Sequence, residues 1–171
     1  MGTVNGLPAH VLLVHAVVVL LPLSALLLVL TAVWPAARAR LAGTNALLAL
    51  AVVALVPVTT SAGEWLERRV PSTALLHDHT ELGDTAIFYA IPLAVLAVLV
   101  WWRQREATGS GTGNRTYLAP GSTAVTRVLV ALAVIVAGAG MYGIYRIGDS
   151  GARASWTGNF STTARNDGPH D

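Results

Sequence analysis

Four long apolar stretches constrain this 171-residue chain more than any other feature. Ala9–Val33 carries no formal charge. Thr44–Thr60 is shorter but of the same character, Thr85–Trp102 follows a polar lead-in, and Val128–Tyr145 lies between Arg127 and Arg146. A helix needs about 20 apolar residues to cross a bilayer. Lipid offers backbone groups no partner but one another, so each stretch is expected to be a transmembrane helix. The expected fold class is all-α: a polytopic membrane protein with four transmembrane helices in an antiparallel bundle. It would occupy residues 1–147, followed by a polar C-terminal tail, residues 148–171. Pro22, Pro57 and Pro92 fall inside spans, where each removes a backbone bond and is expected to kink its helix.

Composition narrows the function. With 54% hydrophobic and 12% charged residues, the chain is neither disordered nor an ordinary soluble domain. It has no cysteine, which excludes disulfides, thiolate metal sites, iron–sulfur ligation and Cys nucleophiles. A metal or haem iron would have to be held by His, Met, Tyr or carboxylate. The basic residues are all arginine and form no block that would follow a nucleic-acid backbone, so no nucleic-acid partner is expected. Ser24 and Ser61 lack a nucleophile-elbow context, and the chain is not expected to be an enzyme on its own.

The segment Ala37-x-Ala39 invites a signal-peptidase reading. No basic residue precedes the first apolar run, however, and that run far exceeds a signal core of roughly 7–15 residues, so a retained helix is expected. Four spans place both termini on one side. The connectors Pro35–Gly43 and Arg103–Arg127 carry Arg38, Arg40, Arg103, Arg105, Arg115 and Arg127. The other side has Arg68, Arg69, Arg146, Arg153 and Arg165. Arginines close to helix ends favour the connector side as cytoplasmic, and Trp34, Trp101 and Trp102 sit where an aromatic belt would mark it. The expectation is a multi-pass protein of a bacterial inner membrane with both termini extracytoplasmic. Residues 107–122 are polar, rich in Gly, Ser and Thr, and expected to be a flexible linker rather than a phosphate loop.

Histidines interrupt this pattern. A helical rise of about 1.5 Å per residue, against a hydrocarbon core of about 30 Å, sets depths. Counting from Trp34, Trp101 and Gly43 places His15, His79 and Glu64 near one level, where the fourth span ends at Arg146. His10 and His15 are separated by about 140° around a helix, so both can face one point only if the helix begins between them. Pro8 suits a first helical position. In "HDHTELGD", His77, Glu81 and Asp84 share a stripe while His79 points the other way. "AGAGMYG" in the fourth span has the character of a helix-packing face.

The segments "GLPAHVLLVH", "AGEWLERRV", "HDHTELGD" and "YRIGDSGARASW" resemble, in that order, the small bacterial membrane proteins grouped as domain of unknown function two-two-three-one. The resemblance maps the family's paired first-helix histidines onto His10 and His15. Its His-x-x-Leu-Gly block maps onto His79, Leu82 and Gly83. Val11 stands where the family commonly has proline, and Ala16 where an aromatic is frequent. Fusions of some relatives to Rieske-type domains imply a redox setting.

Two functions follow as expectations. In the first, an outer-face histidine site binds haem b or a divalent metal in a redox-linked role, because neutral imidazole ligates both and a bundle can supply one His from each of two helices. His15 and His79 are the expected cofactor ligands. His10, His77 and Glu64 complete the candidate metal set, and Arg146, Glu81 and Asp84 support it. In the second, the chain is a non-catalytic accessory or scaffolding subunit whose His/Glu/Arg cluster is structural. The expected partners are the lipid bilayer and a redox partner or larger membrane complex. A proton relay lacks steps, since no ionisable group occupies the inner half of any span.

Overall fold

The computed structural model describes residues 2–109, 116–161 and 163. The chain opens with a two-stranded antiparallel hairpin, β1 (Thr3–Val4) and β2 (Leu7–Pro8). Asn5 and Gly6 make its turn at φ 50° and 81°. Both values lie in the left-handed region, which explains why an Asn-Gly pair stands there. Among the described residues five helices follow: α1 (Ala9–Val33), α2 (Pro35–Glu67), α3 (Ala74–Asp84), α4 (Ala86–Gly109) and α5 (Thr123–Trp156). Four helical segments are long and apolar enough to cross a membrane: α1, α2, α3 running into α4, and α5.

A single residue joins α1 to α2. Trp34 is extended, with φ −107° and ψ 112°, as the residue before a proline is driven to be. Pro35 then starts α2 at a position where its missing N–H is no loss. The connector expected at Pro35–Gly43 is therefore helix. The expected linker is likewise shorter, since residues 107–109 finish α4. The segment 148–156, expected to be polar tail, continues α5. Polar composition ends the apolar span but does not stop a helix. Asp149 and Arg153 pair at 2.9 Å one turn apart, and α3 packs against this extension.

α1 lies against α2 and α5, and α4 lies against the same two, so the four long helices form an antiparallel bundle. Leu21, Leu28, Val52 and Leu93 are fully buried at its centre. Alanines fill much of the remainder and let the backbones approach closely. Gly143 has the same use: a Cβ there would meet the Tyr89 ring at 2.4 Å. Halfway along, the Ser24 hydroxyl and the Asn45 amide lie 2.9 Å apart between α1 and α2, both buried. The outward faces carry Leu47, Phe88 and Ile135 largely exposed, an apolar coat suited to lipid.

Candidate functional site: a histidine pair at one end of the bundle

The two ends of the bundle differ in chemistry. The histidine end gathers the hairpin, the start of α1, the end of α2, α3 and the end of α5. At its centre the rings of His10 and His79 meet edge to face, centroids 6.4 Å apart and planes at 73°.

Each ring is fixed by its Nδ1. His10 Nδ1 lies 3.0 Å from the Thr59 carbonyl of α2. A carbonyl only accepts, so His10 is protonated at Nδ1. His79 Nδ1 lies 3.0 Å from Ser150 Oγ of α5. The Ser150 hydroxyl lies 2.8 Å from the Ile147 carbonyl; with its proton donated there it accepts from His79, the arrangement that puts the His79 proton on Nδ1. In the neutral state both Nε2 atoms keep their lone pairs. Holding Nδ1–H on a protein oxygen while Nε2 stays free is how ligating histidines are commonly oriented.

Two glycines make room for the rings. A Cβ on Gly63 would lie 3.0 Å from His10 Nδ1, and one on Gly151 would lie 2.9 Å from His79 Cε1. The hairpin adds a cover beside them. The Ala9 amide donates to the Gly2 carbonyl at 3.1 Å, and Gly2 rests so close to the Trp65 ring that a Cβ would fall 2.3 Å from it. Arg69 also lies over this indole, 3.8 Å from the ring centroid.

The remaining residues of the expected set are not brought to this pair. His15 is exposed, and its Nδ1 bonds the Val11 carbonyl of its own helix. Glu64 and Arg146 are exposed on α2 and α5. His77 pairs with Glu81 at 3.2 Å on the exposed stripe of α3, with Asp84 exposed one turn on. Among the described residues, no group of three or more His, Asp or Glu side chains is placed to hold a metal ion.

The physical reason is azimuth. The buried face of α1 runs through Val17, Leu21, Ser24, Leu28 and Thr31. Extended back by seven residues from Val17, it reaches His10, while His15 stands about 180° from Ser24. On α5 the buried face runs Ala133, Ala137, Gly140, Ile144, Ile147 and leads to Ser150 and Gly151, leaving Arg146 off it. A signal for this was present in α1, where His10, Ser24 and Thr31 are spaced by multiples of seven and mark one polar-tolerant stripe. Asn-Gly at 5–6 signals the hairpin in the same way.

A family model described as a predicted membrane protein family, DUF2231, matches residues 6–164. The chain belongs to the DUF2231 family. No curated protein and no solved structure matches it. In this DUF2231 protein the match extends from the hairpin turn through α5, so the histidine pair and all four long helices lie within the family's extent.

Proposed function

We propose that this integral membrane protein binds a metal centre, a haem b iron or a single transition-metal ion, through His10 and His79, in a redox-linked role. One observation carries the reading. Two imidazoles from different elements meet edge to face with each Nδ1 held on a protein oxygen, which in a neutral ring carrying its proton there leaves Nε2 as the acceptor. The spacing supports it. Two imidazoles ligating one ion from opposite sides at about 2.0–2.1 Å place their centroids roughly 6 Å apart, against 6.4 Å here. Two protein ligands fit a haem iron directly, whereas a single ion would take its remaining ligands from water, a small molecule or a partner. His10 therefore replaces His15 beside His79 as the ligand pair.

The accessory-subunit reading has its own support. Among the described residues no third protein ligand is placed at the pair, and ring-to-ring packing over Gly63 and Gly151 fills this end of the bundle without any ion. Absorption spectra and elemental analysis of detergent-purified protein, before and after addition of haem or a divalent metal, separate the two. The metal-centre reading expects a Soret band with split visible bands, or a stoichiometric metal. It expects His10→Ala and His79→Ala each to abolish the signal while His15→Ala keeps it. A protein that takes up neither haem nor metal in a His10- and His79-dependent way leaves the accessory reading.

A further inference from the structure

The opposite end of the bundle holds two arginines that no acidic side chain neutralises among the described residues. Arg103 of α4 is only 4% exposed. Its Nε donates to the Leu118 carbonyl. Its Nη2 reaches the carbonyls of Ala119, Pro120 and Ser122 and the hydroxyl of Thr126, at 2.8–3.4 Å. Arg38 of α2 turns back onto α1, donating from Nε to the Thr31 carbonyl at 2.8 Å and from Nη2 to that of Ala32. Neither guanidinium has a carboxylate partner among the described residues. Neither Nη1 bonds a described residue, and neither is sealed from solvent.

Both arginines line one small recess, with Ala32, Val100, Thr126 and Leu129. It has room for about one water, so a larger group could meet the guanidiniums only from its open side. Arg40, Arg105 and Arg127 stand exposed at the same end, where Glu106 is the one acid among the described residues. Glu106 takes the Tyr117 and Leu118 amides and the Trp102 indole N–H. Trp34 and Trp102, both exposed, place this end at headgroup level.

We infer that the recess between Arg38 and Arg103 is a binding site for a phosphate-bearing anion. Paired guanidinium groups with spare N–H donors, in a partly desolvated hollow, fit phosphate oxygens. A basic pocket between helices at headgroup depth is where an anionic phospholipid presents that group. The same chemistry would also accept free phosphate.

Full-length protein in neutral detergent is titrated with phosphatidylglycerol, phosphatidylcholine or inorganic phosphate, with binding read by native mass spectrometry and thermal stability. Wild-type protein is expected to hold phosphatidylglycerol roughly tenfold more tightly than phosphatidylcholine, and Arg38→Gln to remove about that factor. Arg40→Gln is the control. It removes the same charge at the same end, two residues round α2 and facing away, and is expected to leave the preference almost intact. Displacement of phosphatidylglycerol by millimolar phosphate would make the bare anion a sufficient ligand, and failure of phosphate to compete would assign the site to lipid. Equal binding of the two lipids by wild-type protein overturns the inference whether or not any variant folds. Equal losses in Arg38→Gln and Arg40→Gln overturn it too, because general attraction to a basic surface would then account for the effect.

Discussion

The histidine end and the arginine end treat their polar side chains in opposite ways. At the arginine end the Nε and Nη2 donors of Arg38 and Arg103 are committed mostly to backbone carbonyls, and Nη1 is left over. Arg38 satisfies carbonyls left open where α1 stops, and Arg103 gathers the carbonyls of the chain returning into α5. At the histidine end each ring commits one nitrogen and keeps the other. A guanidinium has donors enough to hold a turn together and still face an anion. A neutral imidazole has one donor and one acceptor, so once Nδ1–H is anchored only an acceptor remains, which suits a cation. The same bundle thus offers opposite chemistry at its two mouths.

The largest effect is expected at Arg103. Arg103→Leu removes the donors to several carbonyls in a nearly buried place and should cost at least about 3 kcal/mol, since single hydrogen bonds to charged groups are each worth about 1.5–3 kcal/mol. Unfolding in mixed micelles measures this, and limited proteolysis should show the 116–122 segment cut faster. His79→Ala, by contrast, removes one bond to Ser150 and part of a ring contact. If His79→Ala destabilises as much as Arg103→Leu, the division between a structural end and an uncommitted end fails.

Next comes crowding at the histidine end. Gly151→Val brings a side chain to where His79 Cε1 stands 2.9 Å from an ideal Cβ. The ring must move, at a cost of about 1–3 kcal/mol for overpacking. The fold should survive, because α3 is held to its neighbours by more than this ring. Any haem or metal uptake by the pair should be lost. Circular dichroism with an uptake assay separates the two effects, and retained uptake would mean the ring position does not matter.

How far these ends were legible in the sequence depended on which helical coordinate was asked for. Depth follows from a fixed rise and from tryptophan and charge markers, and it was the coordinate that selected His15, His79, Glu64 and Arg146. Azimuth follows from the packed face, and α1 is so uniformly apolar that no face stands out except through Ser24 and Thr31. Read at seven-residue spacing, those two select His10, while depth alone favoured His15. The arginine clamp was legible only as charge in the connectors. What Arg103 holds is the backbone of residues 118–122, and carbonyl positions leave no trace in side-chain pattern. The extension of α5 through Trp156 was hidden for a related reason: polarity marks where a membrane ends, not where a helix does.

Between the two ends, Ser24 and Asn45 form the one buried polar contact at mid-depth described between α1 and α2. Asn45→Leu is expected to cost about 0.6–2 kcal/mol, the range for hydrogen bonds between membrane helices. It should alter neither metal or haem uptake at one end nor lipid preference at the other. Chemical unfolding gives the first quantity, and the two binding assays give the others. A shift in either binding assay would mean that the ends are coupled through the α1–α2 seam.

The smallest effect is expected at His15, and it bears most directly on the site. His15 is exposed, and its Nδ1 bonds Val11 of its own helix, a carbonyl that the helix already supplies with the His15 amide. Removing the ring strands no buried group, so His15→Ala should stay within about 0.5 kcal/mol of wild type. Its sign should lean towards stabilisation, because alanine is the better helix former. His10→Ala differs at each step: it vacates the space against Gly63, frees a ring contact with His79 and removes the bond to Thr59. Its cost should reach about 1 kcal/mol or more. Parallel melts of the two variants decide between them. A His15→Ala loss equal to that of His10→Ala would put His15 back on the inward face of α1. That would remove the seven-residue stripe from which the ligand pair was reassigned.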